Sequence, residues 1–207
     1  MKLYYSPGAC SLSPHIVARE AQVPLKLVKV DLKAKTIEEG GDYNRINAKG
    51  SVPALELDDG QVLTEGPAIV QYLADLRPER GLAPSTGAFD RYRLQEWLGY
   101  INSEIHKSYS PLFKDTTPAE TRAERLEYLR KRYAYVEQVL SKQPYLLGQS
   151  YSVADAYLFT VSRWAKGVKL DLSGLRHLEA FLQRVAARPA VQEALFEEGL
   201  SETQRAA

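Results

Sequence analysis

The spacing of hydrophobic residues predicts alternating strands and helices in the first 76 positions of the chain. Short apolar runs bounded by turn residues predict strands at Lys2–Tyr5, Leu25–Val30, Ala54–Leu57 and Val62–Thr64. Apolar residues at helical spacing predict helices at Pro14–Ala21 and Ala68–Leu76. This order, a βαβ unit followed by a hairpin and a helix, favours a mixed four-stranded sheet with helices on its faces.

Amphipathic helical patterns account for the rest of the chain. Helices are predicted at Phe89–Tyr109, Pro118–Leu140, from Ser152 to Trp164, at Leu175–Arg188 and at Pro189–Glu197. Ser152 and Asp155 form a capping-box pattern, with Asp in place of the usual Glu or Gln. The Pro- and Gly-rich stretch between the two halves predicts domains at residues 1–80 and 87–207, joined by a linker at 81–86.

Composition narrows the classes of function. The 207 residues include 27 basic and 26 acidic side chains, so a net charge of +1 predicts no general attraction to nucleic acid or anionic lipid. A single cysteine excludes an internal disulfide and is typical of a reducing cytosol. With no apolar run of about 18 residues and no signal-peptide pattern, we expect a cytoplasmic protein without a membrane anchor. Three scattered histidines predict no metal site.

Cys10 lies where the first predicted strand turns into the first helix. The unpaired N–H groups and positive dipole end of a helix favour a thiolate there. In the Cys10-Ser11-Leu12-Ser13 pattern a serine replaces the second cysteine of a C-x-x-C motif. Such a site cannot close its own disulfide, but it can bind the sulfur of a small thiol or form a mixed disulfide with it. The alternative is a small buried hydrophobic residue.

Two further segments of the first half carry possible binding groups. Ser51-Val52-Pro53 precedes a strand, and a cis Val52–Pro53 bond would expose the Val52 backbone to an extended peptide. An ordinary proline at the start of a strand is the alternative. Glu65-Gly66-Pro67 joins a strand to a helix, where Glu65 can bind an amino group. A simple helix-capping carboxylate is the alternative for Glu65.

About one and a half turns of the first long predicted helix carry several polar and ionisable side chains. Ser103, Glu104, His106 and Lys107 supply a hydroxyl, an acid, an imidazole and an ammonium within five positions. His106 can contact a thiolate or transfer a proton near neutral pH. The alternative is the solvated polar face of a long helix. His15 and His177 are interpreted as structural or surface residues.

These segments together resemble the bacterial glutathione S-transferases of the beta class. The resemblance rests on residues 2–12, on Gly50–Leu55, on Leu63–Ile69 and on Glu104–Lys107. The segment 152–158 is also similar to the helix-capping motif of that family's core. The matching segments occur in the family's order and span nearly the whole chain.

The resemblance implies a thioredoxin-like N-terminal domain, an all-helical C-terminal domain and a homodimer. By matching position, Cys10 and His106 would face the glutathione sulfur and serve catalysis. The other glutathione contacts that it implies are Lys35 for the glycyl carboxylate, the Val52 backbone for the cysteinyl backbone, Glu65 and Gly66 for the γ-glutamyl end, Ser103 and Glu104 from the partner subunit, and Lys107. Gly99 departs from the family, which often has a ligand-contacting asparagine at this position.

The implied activity is detoxification by conjugation of glutathione thiolate to hydrophobic electrophiles. The electrophile would lie near Tyr109, Leu112, Phe113 and Trp164 in the helical domain. Two alternatives stay open at this point. One is a glutathione-dependent thiol–disulfide reductase or dehalogenase in which Cys10 is the nucleophile. The other is a non-catalytic ligand-binding protein.

Overall fold

The computed structural model describes residues 1–201, which form two compact units. Residues 84–186 make up the second unit, and the first combines residues 1–83 with residues 187–201. From the sequence, the segment that begins at residue 187 was predicted to belong to the helical domain. An amphipathic pattern predicts that a helix covers an apolar surface, but it does not tell which unit provides that surface.

The first unit is built on a five-stranded mixed sheet. Its strands are β1 (Lys2–Tyr5), β2 (Lys26–Asp31), β3 (Thr36–Ile37), β4 (Ala54–Glu56) and β5 (Val62–Thr64). Their order is β3-β2-β1-β4-β5, with β1 parallel to β2 and every other pair antiparallel. The predicted mixed sheet is therefore confirmed, but four strands were one too few. Only two residues form β3, and so short a strand is too brief to show an alternation of hydrophobic and polar residues in the sequence.

Nine α-helices lie within residues 1–201. They are α1 (Leu12–Glu20), α2 (Gly66–Asp75), α3 (Phe89–Tyr100), α4 (Lys107–Tyr109), α5 (Ala119–Leu140), α6 (Val153–Ser162), α7 (Trp164–Val168), α8 (Arg176–Ala186) and α9 (Pro189–Glu197). A π-helical segment, Ile101–His106, joins α3 to α4, so the predicted helix at 89–109 is continuous but not uniformly α-helical. No helix in this part of the chain is both long and apolar enough to span a membrane.

Helix α9 is attached to α1 through a buried histidine. His15 is only 1 % exposed, and its Nδ1 and Nε2 atoms lie 3.0 Å and 2.7 Å from carboxylate oxygens of Glu198 and Glu197. The second carboxylate oxygen of Glu198 accepts a hydrogen bond from the Gly8 N–H at 2.9 Å. The segment after residue 187 therefore holds both α1 and the turn that precedes Cys10.

The second unit is organised around α6, whose ten residues are all buried. The predicted capping box at its N-terminus is confirmed. Asp155 accepts hydrogen bonds at 2.8 Å from both the backbone N–H and the hydroxyl of Ser152, and one at 2.9 Å from the Leu146 N–H. Each of these donors would otherwise be buried without a partner, so the box fixes where α6 begins.

A carboxylate from α5 accepts hydrogen bonds at the N-terminus of α8. Glu137 accepts hydrogen bonds from the backbone N–H groups of His177 at 3.1 Å and Leu178 at 2.8 Å. Burial raises the pKa of Glu137, but these hydrogen bonds, together with the contact of 2.7 Å from His177 Nδ1, outweigh burial and leave the pKa below the usual value of glutamate. The ionised carboxylate is therefore the form that stabilises the fold.

We expect Glu137→Gln to lower the free energy of unfolding by about 1–2 kcal/mol at pH 7, because an amide cannot accept from both N–H groups. A lowered pKa means that the wild-type advantage is fully present above the pKa of the unfolded glutamate, 4.5, and is lost as pH falls from there through the lower pKa of the folded glutamate. Urea unfolding of both proteins between pH 3 and pH 7 measures this difference.

Glu127→Gln is the matched control on the same helix, since Glu127 makes only an exposed ion pair with Lys131. Its unfolding midpoint should stay at the wild-type value across the same pH range. A pH-independent effect of Glu137→Gln would contradict a role for the ionised carboxylate.

Candidate active site

Cys10 lies in the turn between β1 and α1 and contacts a residue distant in sequence. Its Sγ donates a hydrogen bond to the Val52 carbonyl at 3.2 Å. The turn itself is closed by Ser11, whose Oγ accepts from the Ser6 N–H at 3.1 Å. Cys10 is partly exposed, which leaves its sulfur accessible to a small thiol. The structure therefore brings Cys10 and Val52 together, and Cys10 is not the fully buried hydrophobic residue that was the alternative.

The Val52–Pro53 peptide bond is cis, the first of the two alternatives predicted for this segment. The preceding Ser51 carbonyl accepts hydrogen bonds from the Tyr43 hydroxyl at 2.8 Å and the Asn47 Nδ2 at 2.7 Å. These contacts hold the backbone of the segment beside the Cys10 turn.

Lys35 lies against the loop that leads into this segment. Its Nζ donates to the Gly50 carbonyl at 2.6 Å. Gly50 has a φ of +62°, and a Cβ there would lie 3.0 Å from Asn44 Oδ1 and 3.4 Å from Lys35 Nζ. The backbone conformation therefore favours glycine at this position, and a Cβ would also crowd Asn44 Oδ1.

Glu65 combines an unusual backbone with an exposed carboxylate. Its φ of 71° and ψ of 115° lie outside the ordinary left-handed region, which costs a non-glycine residue about 1–3 kcal/mol. Its side chain does not cap α2, so the helix-cap alternative is wrong. The carboxylate instead lies 2.5 Å from the ammonium of Lys49, and Gly66 begins the helix. Strain of this kind is concentrated at functional sites.

Sequence reasoning missed Lys49. Its Nζ also donates to the Thr64 hydroxyl at 2.9 Å, so it links the loop before Val52 to the strand before Glu65. Lysines at exposed positions are common, and only the folded loop distinguishes this one.

The π-helical segment of the second unit carries most of the remaining predicted residues. Ser103 is exposed and donates to the Gly99 carbonyl at 3.0 Å. Glu104 accepts a very short hydrogen bond from the Tyr128 hydroxyl and lies 2.9 Å from Arg132 Nε. The hydrogen bond from Tyr128 is the main cause that lowers the pKa of Glu104. Tyr128 and Arg132 were not predicted, since no local pattern links residues 24 or more positions apart.

His106 occupies the end of that segment beside aromatic side chains. Its Nδ1 lies 2.6 Å from the Tyr157 hydroxyl, and its ring centroid lies 4.9 Å from that of Trp164. Phe113 is exposed and packs edge-on against Trp164. Lys107 follows His106 on the exposed surface. A proton-transfer group therefore adjoins an apolar aromatic surface in the second unit.

Two of the predicted electrophile contacts need correction. Tyr109 is fully buried, and its hydroxyl lies 3.0 Å from that of Tyr133. Leu112 is also buried. Their helical spacing with Phe113 and Trp164 does not distinguish a core-facing from a solvent-facing position.

The predicted site residues fall into two sets, one in each unit. The first unit holds Cys10, Lys35, Val52, Glu65 and Gly66, and the second holds Ser103, Glu104, His106 and Lys107. Among residues 1–201, no three His, Cys, Asp or Glu side chains are grouped in a way that could hold a metal ion.

Two solved structures place this geometry among known proteins. The chain superimposes on a ternary complex of BphK, a bacterial GST, with a TM-score of 0.95 and 54% identity over 97% of this chain and 100% of BphK. A sphingomonad glutathione S-transferase complexed with glutathione gives a TM-score of 0.94 and 44% identity over the same shares of the two chains.

Sequence comparisons agree with the structural ones. The glutathione S-transferase N-terminal domain matches residues 8–76, and the C-terminal domain matches residues 98–189. Glutathione S-transferase GstA of Escherichia coli O157:H7 is 52% identical over 97% of this chain and 100% of its own length. A beta-class glutathione S-transferase of Sphingomonas chungbukensis is 42% identical, with a TM-score of 0.94 over 97% of this chain and 100% of that one. The predicted fold and family are confirmed, and the chain belongs to the glutathione S-transferase family as an enzyme of the bacterial beta class.

Proposed function

We propose that this glutathione transferase binds reduced glutathione along the Cys10–Val52 edge of the first unit and adds its thiolate to hydrophobic aromatic electrophiles. The observation that carries the proposal is the hydrogen bond of 3.2 Å between Cys10 Sγ and the Val52 carbonyl. It brings a sulfur-binding group to a backbone edge that an extended peptide can pair with.

The charges of the first unit match the two ends of the tripeptide. Glutathione carries a carboxylate at its glycyl end, and both a carboxylate and an ammonium at its γ-glutamyl end. Lys35 receives the glycyl carboxylate, the Val52 backbone pairs with the cysteinyl residue, and Glu65 with the Gly66 N–H receives the γ-glutamyl end. The Glu65–Lys49 ion pair of 2.5 Å supports this assignment, since an ammonium group already lies against the carboxylate there.

The second unit supplies the proton-transfer group and the surface for the electrophile. His106 acts at the glutathione sulfur, where it favours the thiolate by taking up or hydrogen-bonding the thiol proton, and Lys107 lines the site. The thiolate then forms a bond to the electrophilic carbon, and the leaving group departs with its electron pair. Exposed Phe113 beside Trp164 supports a preference for planar aromatic substrates.

We also propose a cytoplasmic homodimer that acts in detoxification. Phe89 and Tyr92, on the first turn of α3, are 69 % and 59 % exposed, and large exposed aromatic side chains are typical of an interface. Exposed Ser103 and half-buried Glu104 would reach the γ-glutamyl end of glutathione bound to the partner subunit. No metal and no nucleic acid takes part in this scheme.

The second candidate is thiol–disulfide exchange or dehalogenation with Cys10 as the nucleophile. Partial exposure of Cys10 favours it, since a thiolate at this turn is accessible to a glutathione mixed disulfide. The two candidates differ in whether the Cys10 sulfur itself forms a bond.

Replacement of Cys10 separates these candidates. We expect Cys10→Ala to abolish reduction of a glutathione mixed disulfide, while conjugation of a chloronitrobenzene falls by about tenfold or less, the equivalent of one hydrogen bond. Cys10→Ser is the matched control, because its hydroxyl can still donate to the Val52 carbonyl but cannot form a disulfide. Loss of conjugation in both variants would contradict a conjugation mechanism in which the Cys10 sulfur forms no covalent bond.

Glu65 links binding to backbone strain. We expect Glu65→Gln to raise the KM for glutathione by about tenfold or more, because a charge-assisted hydrogen bond is lost. Glu65→Gly should raise KM similarly but also raise the free energy of unfolding by about 1 kcal/mol, since relief of strain exceeds the entropy cost of glycine. Kinetics together with urea unfolding test both effects, and an unchanged KM in Glu65→Gln would refute this role.

The dimer is tested by light scattering during size exclusion. The wild-type chain should elute at twice its mass of 23.2 kDa, and the double variant Phe89→Ser, Tyr92→Ser at that mass itself. Phe196→Ser removes a side chain of similar exposure, 61 %, from α9 and should remain dimeric. A monomeric wild type, or a dimeric double variant, would contradict this interface.

A further inference from the structure

One tyrosine of the buried helix α6 contacts two residues of the π-helical segment at once. The Tyr157 hydroxyl lies 2.6 Å from His106 Nδ1 and 3.0 Å from Asn102 Oδ1. Tyr157 is 2 % exposed, and all of these groups belong to the second unit. The sequence indicated nothing of this contact, because Tyr157 and His106 are 51 positions apart.

The protons in this chain of contacts can be counted. A tyrosine hydroxyl has one proton, and here it is donated to the carbonyl oxygen of the Asn102 side chain. The contact with His106 must then be a hydrogen bond from Nδ1–H to the tyrosine oxygen. In the neutral imidazole this leaves the lone pair on Nε2.

The surroundings fix the geometry of these groups. Helix α6 is buried along its whole length and begins at the Ser152–Asp155 capping box. The Trp164 ring meets the His106 ring at an interplanar angle of 65°. A π-helical segment is a common feature of functional sites, and here it carries Asn102 and His106 to a single hydroxyl.

We propose that Tyr157 is a positioning residue for His106, with Asn102 as its orienting partner. Tyr157 holds His106 as the Nδ1–H tautomer, so that Nε2 presents its lone pair to the glutathione thiol. The proton moves from sulfur to Nε2, the sulfur keeps the electron pair as thiolate, and the imidazolium keeps its Nδ1–H bond to Tyr157. This inference rests on the proposed function only in assigning His106 to the glutathione sulfur.

The tautomer is tested without any measurement of activity. Nitrogen-15 NMR of the imidazole groups distinguishes a protonated Nδ1 from a protonated Nε2, and the His106 signals are identified by their absence in His106→Asn. We expect neutral His106 of the wild type to carry its proton on Nδ1. A proton on Nε2 would mean that the Tyr157 hydroxyl donates to His106 Nδ1 and accepts a hydrogen bond from the Asn102 side-chain amide. That result would overturn the proposal.

Tyr157→Phe removes the hydroxyl and keeps the ring. We expect a mixture of His106 tautomers, a fall in kcat for conjugation of about tenfold, and a shifted pH profile, with the KM for glutathione within about twofold of wild type. Tyr133→Phe is the matched control, because it removes a buried hydroxyl of the same unit that pairs with Tyr109 rather than His106. It should leave the His106 signals and the pH profile unchanged.

The two possible failures are distinguishable. An unchanged tautomer in Tyr157→Phe overturns the positioning role itself. A changed tautomer with unchanged kcat and pH profile overturns instead the assignment of His106 to the glutathione sulfur, and with it this part of the proposed function.

Discussion

The antiparallel pairing of β1 with β4 is the constraint on which the site of the first unit depends. In this register Tyr4 lies opposite Ala54, so the chain that leaves β1 is adjacent to the chain that enters β4. Cys10 follows the first of these strands and Val52 precedes the second, which brings them within hydrogen-bond distance although 42 positions separate them. Leu3, Ala54 and Leu55 are all fully buried, so both faces of this strand pair are covered by the rest of the unit.

The electrostatics of the site are local rather than global. A chain of net charge +1 does not attract an anionic peptide at long range, so each charged end of the ligand must find its own partner. Glu65 already has Lys49 as a partner, and Lys35 already donates to the Gly50 carbonyl. Binding of glutathione would therefore exchange polar contacts instead of creating them.

The parts of the structure that the sequence predicted share one property: their signal is local. The capping box at Ser152, the turn at Cys10 and the strand start at Pro53 each depend on residues within a few positions. Strand β3 was missed because two residues are too few to show an alternation of hydrophobic and polar positions. The contacts of Lys49, Tyr128 and Tyr157 were missed because they join segments far apart in sequence, and their identities alone are those of ordinary surface or core residues. Tyr109 was misplaced because helical spacing does not indicate which face is buried.

The attachment of α9 to the first unit has a consequence for synthesis on the ribosome. The second unit is continuous in sequence, so residues 84–186 can collapse as soon as they emerge. The first unit is not: its residues 1–83 emerge first, yet Glu197 and Glu198, which contact His15 and Gly8, emerge more than 100 residues later. The turn that carries Cys10 thus acquires its last contacts late in translation. Although the first unit starts to emerge from the ribosome before the second, it is completed only after the second unit.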